Sequence, residues 1–237
     1  MAFRRLLPLL CLVLAIALGG CVQAETTIRF QSQTAGELIQ HVKLNDRLSA
    51  LNRPAAKQWF QQLSQRGKQL GGKVRRDRNE WWLTLPFDNG RDLETKFAQL
   101  YAPLESPEQT PLLLPEPSLR VRQSNALLAI GNQLDLSIDL SDFAIASRGQ
   151  QVLFDPGALL DLEVCLETPR GSRSQPEPTT SSRQGKLQRQ CWKLRSGENQ
   201  LQSSFWLPSF IGIGSLVIGL LVAIGWQIRK QLVATEP

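Results

Sequence analysis

The feature that most constrains this chain is an uncharged, largely apolar run near its C-terminus. The 24 residues 205–228 read FWLPSFIGIGSLVIGLLVAIGWQI. At about 1.5 Å per residue, an α-helix of that length measures about 36 Å, enough to cross a hydrocarbon layer of about 30 Å with some tilt. Trp206 and Trp226 suit the two membrane–water interfaces. We therefore predict a transmembrane helix over 205–228, in preference to a buried core helix.

Small residues recur every four positions in this run, at Ser215, Gly219 and Ala223. A stripe of small side chains lets a second helix approach closely, so the sequence predicts a packing face here. The alternative is that the stripe has no specific partner, because Gly, Ser and Ala are common in membrane spans generally.

The first 20 residues have the order of a bacterial export signal: a pair of arginines, an apolar stretch and then small residues. The motif LGGC at 18–21 resembles the lipobox of bacterial lipoproteins. That resemblance implies cleavage before Cys21, diacylglycerol on the Cys21 sulfur, and an acylated new N-terminus bearing a chain such as palmitate. The alternative is an uncleaved transmembrane helix, because residues 6–24 carry no charge.

The two ends of the chain predict one topology. Arg229 and Lys230 follow the apolar run, and the positive-inside tendency then places the tail 229–237 in the cytoplasm and the domain on the other side. The export signal independently predicts the same side. Because a hydrophobic helix does not suit an outer membrane of barrels, we expect the inner (plasma) or thylakoid membrane, with the domain facing the periplasm or lumen.

The net charge gives little support to nucleic-acid binding. The chain has 27 Lys and Arg residues against 21 Asp and Glu, a formal net charge of +6. Without the four basic residues and one acidic residue that flank the two apolar runs, 23 basic and 20 acidic residues remain. Half of the excess positive charge therefore lies where it sets topology. We expect no nucleic-acid partner.

The residues between the two ends predict an α+β fold. Residues 21–102 show a ββαββα pattern, 103–117 form a connection with five prolines, and 118–204 hold strand candidates without convincing helices. Within the last part, the Ser- and Pro-rich segment 169–185 is predicted to be a mobile loop. The expected architecture is antiparallel sheet or sheets, with two helices in the N-terminal half and a mostly β C-terminal half.

Apolar periodicity and turn residues locate the individual elements. Helices are predicted at 54–70 and 91–102. Strands are predicted at 26–31, 38–44, 73–76, 80–87, 119–130, 133–141, 151–154, 159–167, 187–194 and 198–205.

Cys165 and Cys191 are the two cysteines of the domain after Cys21. Oxidising compartments favour pairing, and the predicted strands that carry these cysteines flank the segment 169–185, so a long hairpin would place them opposite each other. A bridge needs Cα atoms within about 7 Å, which a sequence does not reveal. The alternatives are two free, half-buried thiols and, with less support, a two-cysteine metal site without other clustered ligands.

A basic cluster lies between positions 66 and 78. Its members are Arg66, Lys68, Lys73, Arg75, Arg76 and Arg78. Near a membrane, each basic residue gains about 1 kcal/mol from anionic head groups. The alternative is a solvated helix end and hairpin. Trp81 and Trp82 follow on a predicted strand and must point to opposite faces, so one suits the core.

Nothing in the sequence predicts catalysis. His41 is the single histidine, which excludes a histidine-rich metal site and a second histidine as acid or base partner. No P-loop, nucleophile elbow or dinucleotide-binding glycine motif is present. We expect a non-enzymatic protein without cofactor or bound metal.

Three segments carry a resemblance to a known family: GCVQAETTIRFQSQTAGELIQHVKL at 20–44, EWWLTLPFDNGRDLETKF at 80–97 and CWKLRSGENQLQSSFW at 191–206. With the lipobox and the C-terminal span, they resemble the LppM-like family of actinobacterial lipoproteins, and still more an uncharacterised cyanobacterial relative. The resemblance implies a membrane-associated, non-enzymatic domain of unknown function, proposed in the actinobacterial branch to bind lipid. It implies no catalytic residue.

Two functions therefore remain as hypotheses. In the first, a doubly anchored, non-catalytic lipoprotein binds lipid or a hydrophobic ligand at the membrane surface. In the second, the chain is an assembly or scaffold factor for membrane-protein complexes, photosynthetic ones among them. A deep apolar cavity favours the first, and a filled core with an exposed apolar patch favours the second. The oligomeric state is not predicted.

Overall fold

The computed structural model describes residues 22–44, 53–102, 112–113, 117–141, 144–147, 150–153 and 160–234. Strands make up 54% of these residues. The helices are α1 (Arg53–Gln69), α2 (Gly90–Leu100) and α3 (Phe210–Ala234). The strands are β1 (Val22–Ser32), β2 (Ala35–Leu44), β3 (Lys73–Asp77), β4 (Glu80–Phe87), β5 (Leu112–Leu113), β6 (Ser118–Ala126), β7 (Ala129–Asp139), β8 (Ala144–Ser147), β9 (Gln150–Leu153), β10 (Leu160–Thr168), β11 (Arg173–Gln175), β12 (Thr180–Gln184), β13 (Leu187–Lys193) and β14 (Glu198–Pro208).

The strands form two larger sheets and one small one. The seven-stranded sheet has the order β12-β13-β10-β1-β2-β4-β3, and the four-stranded sheet has the order β11-β14-β7-β6. Strands β5, β8 and β9 form the third sheet. Among the described strands, β1 and β10 pair in parallel and the other neighbours are antiparallel.

The predicted α+β class is wrong, because the chain is mostly β. Strand β10 from the second half pairs with β1 along its length, from Val22 opposite Leu160 to Arg29 opposite Glu167. The two parts that the sequence separates therefore share one sheet. The predicted helices α1 and α2 of the N-terminal half and the strand-rich second half are both present.

One hydrophobic core joins the two larger sheets, α1 and α2. Its aromatic centre is Phe30 on β1, whose ring centroid lies 5.1 Å from that of Phe87 on β4 and 4.8 Å from that of Phe205 on β14. All three side chains are buried. The contact between Phe30 and Phe205 brings the C-terminal ends of β1 and β14 to the same end of the domain.

Helix α2 begins where its residues satisfy the free backbone donors of the first turn. The Asn89 side chain accepts a hydrogen bond of 2.9 Å from the Asp92 backbone N–H, as an N-cap does. Asp92 also pairs with Lys96 one turn later, at 2.8 Å. The helix buries Leu93, Phe97 and Leu100, which are three residues of the apolar face that the sequence predicts.

Tyr101 closes this helix with a buried hydroxyl. Its OH donates to the Gln40 side-chain oxygen at 2.7 Å, and the same oxygen accepts from the Thr26 hydroxyl at 2.6 Å. Burial raises the pKa of Tyr101 to about 12. The phenol therefore remains neutral and holds β1, β2 and α2 together through one buried amide.

The hairpin between β6 and β7 turns at Leu127 and Leu128. The predicted strands 119–130 and 133–141 place the turn instead at a Gly-Asn pair. That pair, Gly131 and Asn132, lies within β7. Asn132 is buried, and its side-chain oxygen accepts from the Gln123 amide on the neighbouring strand at 2.7 Å. Asparagine otherwise favours turns, but the hydrogen bond to the neighbouring strand stabilises Asn132 within β7.

The segment 169–185, predicted to be a mobile loop, contains strands β11 and β12. Strand β11 is an edge strand of the four-stranded sheet and pairs with β14, and β12 is an edge strand of the seven-stranded sheet and pairs with β13. Ser174 contacts the Ser203 hydroxyl at 2.8 Å. Serine-rich composition does not prevent strand formation here, because the partner strands satisfy both backbone and hydroxyl groups.

The apolar run 205–228 is divided between a strand and a helix. Strand β14 continues to Pro208, with Phe205 and Leu207 buried in the core and Trp206 exposed. Helix α3 begins at Phe210. The predicted start of the span at 205 is therefore too early, and a domain cut at 204 would lose core side chains.

Replacing Gly67 with alanine is expected to lower the free energy of unfolding by about 1–2 kcal/mol, although alanine is the better helix former by about 1 kcal/mol. A Cβ at this position of α1 would lie 2.4 Å from Leu83 Cδ1, and Leu83 is fully buried on β4. Urea unfolding of the full-length protein in mild detergent measures the effect.

The matched control is Lys68→Ala on the same helix, where the side chain is exposed. It should change the free energy of unfolding by no more than about 0.5 kcal/mol. If Gly67→Ala proves as stable as Lys68→Ala, then α1 does not pack against β4 as closely as described.

Candidate functional site: a cleft between the two sheets

A cleft of about 290 Å³ opens between the seven-stranded and the four-stranded sheet. On one side, Leu136 and Leu201 are register partners on β7 and β14; on the other, Val164 and Trp192 are partners on β10 and β13. These four side chains are buried. The other lining residues are Ile138, Pro176, Glu177, Thr179, Lys193, Leu194, Arg195, Glu198, Asn199 and Gln200.

The connection between β11 and β12 forms one wall of this cleft. The indole N–H of Trp192 donates to the Pro176 carbonyl at 2.9 Å, and the backbone N–H of Thr179 donates to the Cys191 carbonyl at 2.8 Å. The single polar atom of the Trp192 ring is thereby satisfied, so the ring offers an apolar surface.

Charged side chains lie at the rim. Lys193 and Arg195 are exposed, as are Glu177 and Glu198. The Lys193 ammonium lies 3.1 Å from an oxygen of Asp161. The volume is at the lower end of the range of small-molecule sites, about 300–1,000 Å³. The cleft thus combines an apolar base with a polar rim, which carries two cations and two carboxylates.

A buried carboxylate lies on the opposite face of the seven-stranded sheet. Glu167 has 1% of its side chain exposed. Its oxygens accept from Arg29 Nε at 2.6 Å and from Arg189 Nη1 at 3.1 Å. Arg29 also pairs with Glu37 at 3.1 Å, and Arg189 with Glu25 at 2.7 Å. This network joins β1, β2, β10 and β13 and is structural, since it does not reach the cleft lining.

Cys165 and Cys191 are joined by a disulfide between register partners on β10 and β13, with a Cα–Cα distance of 4.1 Å. Glu163 lies close enough to form a three-ligand cluster with the two cysteines. Because both sulfurs are bonded to each other, the cluster offers a cation one carboxylate. Burial raises the pKa of Glu163, and the neighbouring Glu25 carboxylate raises it further.

The predicted basic cluster is divided among three places. Arg66 donates to the carbonyls of Leu100 and Ala102 at the end of α2. Arg75 and Arg76 are consecutive on the edge strand β3, and their guanidinium groups lie 5.4 Å from the ring centroids of Trp82 and Trp81 respectively. The remaining members, Lys68, Lys73 and Arg78, are exposed. Contact with anionic head groups stays a prediction.

The two tryptophans lie on opposite faces of β4, as the period of a strand requires. Trp81 is buried and packs on Phe60, with ring centroids 5.3 Å apart. Trp82 is half-buried and stacks on His41, with centroids 4.8 Å apart. The His41 ring also lies 3.2 Å from Glu80. The single histidine is thus not part of the cleft lining and lies in a stacked pair at the surface.

The small-residue stripe of α3 meets no neighbour among the described residues. Ser215, Gly219 and Ala223 are exposed, and the Ser215 hydroxyl donates to the Ile211 carbonyl one turn back at 2.8 Å. Close packing of a second helix on this face stays a prediction. At the other end of α3, the Lys230 ammonium lies 3.9 Å from the Trp226 ring centroid.

Several predicted features lie outside the described residues. These are the export signal 1–20, the lipid attachment site Cys21, nearly all of the connection 103–117 and the last three residues of the tail 229–237. Cleavage, lipidation and the alternative of an uncleaved helix stay predictions.

Neither the cleft nor the buried position of Glu167 is predicted from the sequence. Each depends on strands that are distant in the chain, so no local pattern marks them. Glu167 lies within β10, and the arginines opposite it come from β1 and β13, so its role follows only from the strand register.

A family model described as "Protein of unknown function (DUF3153)" matches residues 26–235. No curated protein matches the chain. Among solved structures, the chain is similar to the NMR structure of the folded domain of LppM from Mycobacterium tuberculosis. The identity is 11%, the match covers 81% of this chain and 93% of that chain, and the TM-score is 0.37. A likeness at that identity and TM-score carries no conclusion about function.

Proposed function

The chain belongs to this DUF3153 family of unknown function, and we propose that it is a non-catalytic, membrane-anchored β domain that binds lipid or another hydrophobic ligand at the membrane surface. The observation that carries the proposal is the cleft of about 290 Å³, with its walls of Leu136, Val164, Trp192 and Leu201. These side chains provide an apolar base for one acyl chain of a lipid, and Lys193 and Arg195 at the rim, beside Glu177 and Glu198, provide hydrogen-bond donors for a polar head.

Helix α3 supplies one anchor in this proposal. Residues Phe210–Lys230 are long and apolar enough to cross a membrane, and their large side chains are exposed rather than packed in the core. At about 1.5 Å per residue these 21 residues measure about 31 Å, close to the thickness of a hydrocarbon layer. The membrane is the inner or thylakoid membrane, with the domain facing the periplasm or lumen.

A lipid on Cys21 supplies the second anchor and orients the domain. Cys21 directly precedes Val22, where β1 begins, so no linker would separate a lipidated cysteine from the strand. Eight residues separate Val22 from Phe30, about 26 Å along a strand. Phe30 contacts Phe205, close to the start of α3. The two anchors are therefore at opposite ends of the domain.

Lipidation of Cys21 would place the cleft residues near the N-terminal anchor. Val22 pairs with Leu160 at the start of β10, and Leu162 on the same strand accepts a hydrogen bond of 2.9 Å from the cleft residue Leu194. The turn between β3 and β4 lies at the same end of the sheet, because Lys43 pairs with Glu80. The end of the sheet that follows Cys21 thus carries both the cleft residue Leu194 and the exposed arginine of that turn, Arg78.

Filling the cleft is expected to weaken ligand binding. Leu194 and Thr179 line the cleft from two different segments of the chain. The substitutions Leu194→Trp and, independently, Thr179→Trp each place an indole in it. Each should weaken binding of a fluorescent palmitate analogue to the full-length protein in mild detergent at least tenfold, because the probe and the indole compete for about 290 Å³. Lipid that co-purifies with the unaltered protein, measured by mass spectrometry, should fall in parallel.

The matched control is Gln202→Trp, which adds the same side chain at an exposed position of β14 outside the lining. It should bind the probe like the unaltered protein. If both cleft variants also bind normally, the cleft is not the site. If membrane proteins co-purify in place of lipid, the scaffold hypothesis replaces this one.

A further inference from the structure

The exposed large apolar side chains of the described chain are confined to one region. They belong to α3 or lie at three positions beside its first turn: Leu127, Leu128 and Trp206. Leu127 and Leu128 form the turn of the β6–β7 hairpin, here called the hairpin tip, and are 64% and 44% exposed. Two-residue hairpin turns normally take Asn, Asp or Gly, so two leucines are an unusual choice.

The backbone of the hairpin tip disfavours a leucine as well. Leu127 has a φ of 54°, in the left-handed region that Gly and Asn adopt most readily. In water, both the backbone conformation of Leu127 and the exposure of its apolar side chain are therefore unfavourable. Neither cost is recovered within the described part of the chain, which indicates that the side chain meets an apolar environment outside it.

The hairpin tip is attached to the first turn of α3. The Ser209 backbone N–H donates to the Leu128 carbonyl at 2.9 Å. A Cβ on Gly212 would lie 1.5 Å from the Leu127 carbonyl oxygen, so only glycine permits this approach. Ser209 directly precedes α3, and Gly212 lies in its first turn. The hairpin tip therefore has the same depth in the membrane as the N-terminal end of α3.

That depth coincides with the boundary of the hydrocarbon. Residues Phe210–Lys230 measure about 31 Å as a helix, so Phe210 lies at one surface of a hydrocarbon layer of about 30 Å. Trp206 lies on β14, before Phe210 in the chain; it is 55% exposed and packs beside Gly131. An exposed indole just outside the hydrocarbon is the usual position of an interfacial anchor.

We propose that the hairpin tip inserts into the acyl-chain region of the bilayer leaflet on the domain side, next to α3. The partner is membrane lipid, and the insertion fixes the domain relative to its span. This inference rests on the proposed membrane crossing of α3, but not on the cleft or on lipidation of Cys21.

A photo-crosslinker at the hairpin tip tests the insertion. Leu128→benzoylphenylalanine is introduced into the full-length protein, which is reconstituted in vesicles of phosphatidylethanolamine and phosphatidylglycerol and irradiated. We expect lipid adducts by mass spectrometry. The matched control is the same substitution at Arg122, exposed on the same hairpin and about 17 Å before the tip along the strand. The yield of lipid adduct should be at least tenfold higher at 128 than at 122.

A third position separates the two proposals. The same crosslinker at Val217, exposed in the middle of α3, should give lipid adducts if the helix crosses the bilayer. Adducts at 217 without adducts at 128 overturn the hairpin inference and leave the span intact. No adduct at either position overturns the span itself. In native membranes, adducts from 128 to another protein in place of lipid overturn lipid as the partner.

Discussion

Replacing Glu167 with alanine should lower the free energy of unfolding of the domain by about 3–5 kcal/mol. The carboxylate is 1% exposed and accepts from Arg29 at 2.6 Å and from Arg189 at 3.1 Å. Its loss leaves each guanidinium group with one carboxylate partner, Glu37 or Glu25. It removes two hydrogen bonds between charged groups, each worth about 1.5–3 kcal/mol. Urea unfolding of the full-length protein in mild detergent, followed by tryptophan fluorescence, measures the change.

The matched control is Glu37→Ala, which removes the other carboxylate that Arg29 contacts. Glu37 is 31% exposed and its pair distance with Arg29 is 3.1 Å. Because such a pair is partly solvated, the variant should lose no more than about 1 kcal/mol. Equal losses for Glu167→Ala and Glu37→Ala would contradict the description of Glu167 as the buried centre of the network.

Removing the disulfide should cost nearly as much. Cys165 and Cys191 are 26 residues apart in the chain, and closing a loop of that length stabilises a fold by about 3.5 kcal/mol through the entropy of the unfolded chain. We expect the double variant Cys165→Ala, Cys191→Ala to unfold at correspondingly lower urea concentration. Both sites change together, so that no unpaired thiol remains in the core.

Reductant supplies the control for this prediction. The unaltered protein with dithiothreitol should approach the stability of the double variant, whereas the double variant should not respond to reductant. If dithiothreitol has no effect on either protein while the disulfide is shown to be reduced, the cross-link does not stabilise the fold.

The two effects are not independent. Arg189 donates from Nε to the Cys191 sulfur at 3.2 Å and from Nη2 to the Cys165 sulfur at 3.3 Å, while Nη1 contacts Glu167. Residues that share a partner couple, so the combined loss of Glu167 and the disulfide should differ from the sum of the two by more than about 0.5 kcal/mol.

Local patterns determined much of the secondary structure. The turn before Gly36, the start of α1 near Pro54 and the apolar face of α2 all follow from the period of apolar residues and from residues with restricted backbone conformations. These signals act within a few residues, and the elements therefore agree with the prediction to within a few positions. Membership of a family of unknown function is also confirmed. The cyanobacterial origin and the lipobox stay predictions.

The tertiary structure alone decided the class of the fold and both proposed surfaces. Parallel pairing of β1 with β10 joins segments more than a hundred residues apart, and it makes the two predicted parts one mostly β domain with a cleft between its sheets. The same holds at the C-terminus. Residues 205–228 are uniformly apolar, so composition cannot separate Phe205 and Leu207, which a neighbouring strand buries in the core, from the helix that begins at Phe210. Sequence determined which side chains avoid water, and packing against distant strands decided whether protein or membrane covers them.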